Sequence, residues 1–302
     1  LLTEALMINR FFFLYCLTAC SEYQLSEKKE LDDITDETIV EDITDTEDIT
    51  IDTGIEETGD NQIDESAPVA VCSVAPNPVT PPFTPATFDG SNSYDTSGNT
   101  IVSYYWELVE QPEGSAALLP FNSGIYISDF YADLAGEYVG ELTVMNELGL
   151  SDSCRVSLEA VPSQSLWVEM FWQHSGDDMD LHLLAPSGVL ETNSDCYYAN
   201  CSWVGLDWGL IGVTEDDPKL DIDDIPGAGP ENINIYAPQT DGMYTVYVHD
   251  YPGSVYSGPN DVTINIYLNG SLVWSDTRPI YIENSYTPFA LIDWSTQTVT
   301  TL

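Results

Sequence analysis

The chain has 302 residues, of which 51 are Asp or Glu and only 6 are Lys or Arg, for a formal charge of −45 at pH 7. So few cations exclude a nucleic-acid binder, which needs Lys and Arg to displace counterions from phosphates, and a protein that docks on anionic lipid through a basic patch. Hydrophobic residues make up 43% of the chain, enough for about two domains at this length, and no apolar run approaches the roughly 20 residues of a membrane-spanning helix.

The one apolar run near the N-terminus, Phe11-Phe12-Phe13-Leu14-Tyr15-Cys16-Leu17-Thr18-Ala19, follows Arg10 and precedes Cys20. A cation, a short apolar stretch and a small-residue end are the parts of a secretory signal peptide, here residues 1–20 with Met7 as the expected start. Leu17-Thr18-Ala19-Cys20 resembles the lipobox of bacterial lipoproteins. That resemblance implies cleavage before Cys20, a diacylglycerol on its sulfur and acylation of the freed amine. Several acyl chains anchor a protein stably where a single chain is marginal. In that family an Asp after the Cys retains the protein at the inner membrane; Ser21 stands there instead. In a Gram-negative envelope the resemblance therefore implies an exported outer-membrane lipoprotein, periplasmic or surface-exposed.

Residues 21–66 hold 18 acids and two cations, Lys28 and Lys29, with Tyr23 the sole aromatic. Loose repeats of Asp/Glu, Ile and Thr, such as Asp33-Ile34-Thr35-Asp36, recur along it. Such a stretch cannot bury enough surface to offset chain entropy, and its like charges repel. A disordered acidic linker that spaces folded domains from the membrane is expected.

Residues 67–162 read as the first folded unit. Short β-rich runs (Ala86-Thr87-Phe88, residues 101–108, Gly124-Ile125-Tyr126-Ile127, residues 137–145) alternate with turn chemistry at Asp89-Gly90 and Ser97-Gly98-Asn99. This spacing predicts an antiparallel sandwich, with no helical period of useful length. In the last run Tyr138, Gly140, Leu142 and Val144 share one face, as a half-buried strand requires.

The unit resembles the PKD (polycystic kidney disease) domain, an immunoglobulin-like sandwich. The resemblance is carried by Pro68-Val69-Ala70, Phe88-Asp89-Gly90-Ser91-Asn92-Ser93-Tyr94-Asp95, Tyr104-Tyr105-Trp106, and Leu134-Ala135-Gly136-Glu137-Tyr138-Val139 with Leu142-Thr143-Val144. Many members read Trp-Asp-Phe-Gly-Asp-Gly where this chain has Trp106-Glu107-Leu108-Val109-Glu110. The resemblance implies a spacer or binding module without catalytic residues.

Setting aside Cys16 and Cys20 leaves Cys72, Cys154, Cys196 and Cys201, an even number that allows three pairings in an exported protein. Cys72 and Cys154 fall on the first and last strands of one unit, and Cys196 and Cys201 lie five apart in the next, so Cys72–Cys154 and Cys196–Cys201 are expected. Cys-x4-Cys without a second pair does not match a structural zinc site.

Residues 163–302 read as a second antiparallel sandwich. Alternating runs cover residues 166–172, 179–183, 232–236, 243–249, 262–268 and 271–274, with a hairpin signal at Asn269-Gly270. The unit holds 20 acids against two cations, Lys219 and Arg278, so its carboxylates cannot all be paired. Asp178, Asp180 and His182 fall on one face of a strand, opposite Met179, Leu181 and Leu183. The Gly/Pro-rich segment 221–231 adds Asp221, Asp223, Asp224 and Glu231. Oxygen ligands at close spacing on a loop suit Ca2+, which accepts six to eight of them in irregular geometry. A solvated acidic loop and a transition ion are the alternatives. The candidate metal ligands are therefore Asp178, Asp180, Asp221, Asp223, Asp224 and Glu231, with His182 in a supporting position.

This unit also resembles a family of secreted bacterial β-sandwich domains without a characterised activity. The matching residues are Trp172, Asp178-Met179-Asp180-Leu181-His182-Leu183, Pro186-Ser187-Gly188, Gly227-Ala228-Gly229-Pro230-Glu231-Asn232-Ile233 and residues 242–248. The resemblance imports no reaction. His174, His182 and His249 are the only imidazoles, and neither Gly-x-Ser-x-Gly nor His-Glu-x-x-His occurs. Tyr197, Tyr198, Trp203 and Trp208, beside the Cys196–Cys201 loop, are candidate sugar-stacking aromatics, although such residues are more often core or rim. The expectation is an all-β, non-enzymatic surface lipoprotein, its terminal sandwich stabilised by Ca2+, that binds an extracellular protein or glycan and no nucleic acid. A carboxylate-dependent glycan hydrolase and a ligand-free spacer are the alternatives.

Overall fold

A computed structural model describes residues 66–302 apart from 203, 204 and 226. The signal peptide, Cys20 and the acidic linker through residue 65 lie outside the described residues. Everything described is all-β apart from one helical turn, and it forms two consecutive antiparallel sandwiches.

The first sandwich contains β1 (Ser73–Ala75), β2 (Ala86–Asp89), β3 (Ile101–Glu110), β4 (Tyr126–Phe130), β5 (Gly136–Asn146) and β6 (Ser151–Ala160). They pair as β1-β2-β4 in one sheet and β3-β5-β6 in the other. The face of β5 expected to be apolar does point inward: Tyr138, Leu142 and Val144 are fully buried with Phe88, Trp106 and Phe130. Gly140 on that face has no room for a side chain, because a Cβ there would lie 2.6 Å from the Phe88 ring.

One run lies elsewhere than expected. The strand anticipated at Gly124-Ile125-Tyr126-Ile127 begins only at Tyr126. Before it, residues 122–124 pair with the opposite sheet, where Trp106 N donates to Asn122 O (2.8 Å) and Gly124 N to Tyr104 O (3.1 Å). The chain crosses between sheets at that point, a route that depends on positive φ at Gly124. Cys72 and Cys154 are bonded, with Cα atoms 6.1 Å apart, and so tie the segment entering β1 to β6.

The second sandwich contains β7 (Leu166–Trp172), β8 (Met179–Leu184), β9 (Asp195–Cys196), α1 (Tyr198–Cys201), β10 (Pro218–Ile222), β11 (Glu231–Ile235), β12 (Met243–Asp250), β13 (Asn260–Leu268), β14 (Ser271–Ile280), β15 (Tyr286–Asp293) and β16 (Thr298–Thr301). Its sheets run β10-β11-β7-β13-β14 and β16-β15-β12-β8-β9. The single turn α1 is an element the sequence did not announce; the bonded Cys196 and Cys201 close it. At the β13–β14 hairpin Asn269 and Gly270 both have positive φ, which is what a two-residue turn matching strand twist demands.

Strand β7 is buried along its whole length, on both faces. Leu166, Val168, Met170 and Trp172 enter the core of the second sandwich. Trp167, on the other face, clusters with Ala135 of the first sandwich and Tyr267. Phe171 on that face abuts Gly114 so closely that a Cβ there would be 2.1 Å from its ring. Glu169, between them, accepts hydrogen bonds from Ala135 N (2.7 Å) and Trp167 Nε1 (2.9 Å). The first sandwich thus packs, through Ala135 and Gly114, on the outer face of one strand of the second.

Candidate metal centre

Alternation on β8 sends Met179, Leu181 and Leu183 into the core, so Asp180 and His182 must face out of the sheet. They are nevertheless buried. The segment between β8 and α1 folds over them, with Asp195 Oδ2 accepting from His182 Nδ1 (2.8 Å) and the Tyr197 ring stacked on His182 at 4.9 Å. Strand register places His249 of β12 directly opposite Asp180. His249 Nδ1 lies 3.3 Å from Asp180 Oδ2, its Nε2 lies 3.3 Å from Asn284 Oδ1, and its ring stacks on Tyr286 at 4.2 Å.

Glu231, the first residue of β11, reaches across from the other sheet. Its Oε2 accepts from Leu181 N (2.8 Å), while its Oε1 is buried and makes no hydrogen bond of good geometry among the described residues. Asp223, in the loop after β10, completes a group. One carboxylate oxygen from each of Asp180, Asp223 and Glu231 lies within 4.8 Å of the others. Asp178 stands close enough to feel the charges of Asp180 and Asp223, its Oδ1 also buried and without a hydrogen-bond partner among the described residues.

The electrostatics follow from burying like charges together. Burial, then the negative charges of Asp180, Asp223 and Asp177, push Asp178 up to about 7. Burial and Asp180 hold Glu231 well above the usual carboxylate range, and burial with Asp180 also raises Asp223. Burial works to lower His249, but its hydrogen bonds to Asp180 and Asn284 outweigh that and leave it raised. Among the described residues no Lys or Arg forms an ion pair with any of these acids. A divalent cation would relieve their repulsion and coordinate Glu231 Oε1.

Two acids included with this set by sequence are turned elsewhere. Asp221 accepts from Asn232 and Asn234 on the adjoining strand and faces away from the group. Asp224 accepts from Gly229 N (2.9 Å) and holds its own loop in shape. Asp221 instead lines a cleft of about 550 Å³ where the sandwiches meet, with Phe83, Lys219, Asn234 and Tyr236. The aromatics beside the disulfide loop take core and rim positions rather than exposed stacking ones. Trp208 is buried in the core, stacked on Tyr244 and donating to Asn193 O. Tyr197 and Tyr198 are half-buried, and Trp203 lies outside the described residues.

Asp195, His249 and Asn284 are site residues that the sequence did not single out as ligands or supports. The distance in sequence between His182 and His249 hides a proximity that only the β8–β12 pairing creates.

No family model and no curated protein matches the chain. Among solved structures it is similar to the PKD domain from KIAA 1837 protein, with 28% identity over 30% of this chain and 83% of that one, at a TM-score of 0.24. It is also similar to a carbohydrate-binding module of the β-sandwich superfamily, with 13% identity over 75% of this chain and 84% of that one, at a TM-score of 0.27.

Proposed function

We propose that the chain is a lipid-anchored, non-catalytic binding protein of the cell envelope whose terminal sandwich is held in its binding form by Ca2+. Support for the anchor is the Leu17-Thr18-Ala19-Cys20 motif. The cation rests on one observation above all: Glu231 is 1% exposed, its Oε1 makes no hydrogen bond of good geometry among the described residues, and the carboxylates of Asp180 and Asp223 face it. A hard ion accepts oxygen ligands in this irregular arrangement, with Asp178 adjacent as a further donor. Bound there, it would tie β8 of one sheet to β11 of the other and fix the loop after β10. That loop continues from β10, which carries Lys219 and Asp221 into the cleft beside Tyr236 and Phe83. This cleft is where we place an extracellular glycan or protein ligand.

Thermal unfolding of the full chain with excess EDTA and with added Ca2+ tests the proposal. At a hundredfold excess over Kd, binding to the native state alone adds about 2.7 kcal/mol. For a protein of this size that raises the midpoint by roughly 5–10 °C. Glu231→Gln should abolish the rise, and a wild-type midpoint that Ca2+ does not move would overturn the cation.

A further inference from the structure

A second group of ligating atoms lies against the first. Asp180, His182 and His249 each offer one atom within 4.8 Å of the others, and all three are buried. Imidazole nitrogens do not suit Ca2+, which takes oxygen ligands; they suit Zn2+ and its neighbours in the first transition row. Histidines that hold such ions donate their other ring N–H to a carboxylate or carbonyl, which sets the tautomer and the ring orientation. Both histidines are arranged in that way. His182 gives Nδ1 to Asp195 Oδ2 at 2.8 Å, and its buried Nε2 has no partner among the described residues. His249 has Nε2 at 3.3 Å from Asn284 Oδ1, which leaves Nδ1 turned toward Asp180 Oδ2. The rings are held in these orientations by stacking on Tyr197 and Tyr286.

We propose that Asp180, His182 and His249 bind a divalent transition ion of the Zn2+ class, through Asp180, His182 Nε2 and His249 Nδ1, with Asp180 common to this site and the oxygen-rich one. The ion takes the place of the proton shared between His249 Nδ1 and Asp180, and that proton is released to solvent. Three protein ligands leave at least one coordination position for water or an outside ligand, as in open zinc sites. Asp195 and Asn284 are positioning residues. The proposal stands whether or not Ca2+ occupies the neighbouring group.

The test uses the metal-free full chain, Co2+ as a spectroscopic probe and Zn2+ as competitor. One equivalent of Co2+ should give visible d–d absorption that Zn2+ displaces stoichiometrically and millimolar Ca2+ does not. His249→Ala should weaken Co2+ binding by at least 100-fold, and Asp195→Asn by about 10–100-fold, the range found for partners of metal-bound histidine. Glu231→Gln should leave the Co2+ band intact while removing the thermal response to Ca2+, which separates this site from the oxygen-rich one. His182→Ala empties a packed position, so His249→Ala, confirmed as folded by near-ultraviolet circular dichroism, is the deciding variant. Absence of a Co2+ band in the wild-type chain, its loss to Ca2+, or full retention in His249→Ala would overturn the proposal.

Discussion

Glu169 shows what a single buried charge does to this protein. It is fully buried between the sandwiches and accepts from a main-chain N–H on one side and an indole on the other. Burial still dominates those bonds and pushes it up to about 7, above the usual 4.5. Because the folded value is raised, its contribution to stability is fully present below about pH 4.5, fades as the pH rises toward 7 and is gone above that. The swing across that window is on the order of 3 kcal/mol. Glu169→Gln keeps an acceptor for both donors and carries no charge. It should be more stable than wild type by about 1–3 kcal/mol at pH 8, and the advantage should vanish near pH 5. Comparing the two proteins across this range cancels Asp178 and Asp250, which burial also raises, to about 7 and about 6. A variant less stable than wild type at pH 8 would show that the ionised form is what the junction needs.

At the level of elements, the turn into β5 depends on one hydroxyl. Tyr138 Oη accepts from Leu134 N (3.1 Å) and lies within donating distance of Asp133 Oδ1 (2.9 Å) and Leu134 O (3.0 Å). The hydroxyl bonds back to the main chain four residues upstream, the geometry of a tyrosine corner. Tyr138→Phe preserves the ring packing against Phe130 and strips a buried N–H of its partner, so denaturant unfolding should show a loss of about 1–3 kcal/mol. Strands such as β5, β7, β8, β12 and β13 were legible because their residues alternate and sit centrally in their sheets. The short edge strands were not. Pro218-Lys219-Leu220-Asp221-Ile222 and Thr298-Val299-Thr300-Thr301 are too polar to announce themselves, and tertiary pairing alone makes them β10 and β16. Nor does alternation tell that the outer faces of β7 and β8 are covered. In β7 the cover is the first sandwich; in β8 it is a loop from the same unit. The candidate site divides along similar lines. Asp178, Asp180, Asp223 and Glu231 stood out as acids without cations nearby, whereas the removal of Asp221 and Asp224 from the group is decided by which hydrogen bonds their side chains make. His249 enters only through register.

For the whole molecule, the disulfides act on very different lengths of chain. Cys72 and Cys154 are 82 residues apart, Cys196 and Cys201 only 5. In the loop-entropy view the long closure stabilises by about 4.5 kcal/mol and the short one by about 2 kcal/mol. Replacing Cys72 and Cys154 together by Ser should therefore cost roughly twice as much in guanidinium unfolding as replacing Cys196 and Cys201. Equal losses would mean that native packing, rather than restriction of the unfolded chain, sets the values.

The long bridge also alters how the protein would carry tension. A pull reaching Cys72 from the residues before it does not have to travel through β1 to β5. It crosses the sulfur–sulfur bond to Cys154, runs along β6 and enters β7, the strand buried on both of its faces. Residues 73–153 hang beside that line as a closed, slack loop, so the first sandwich can lose its fold under strain without paying out any length.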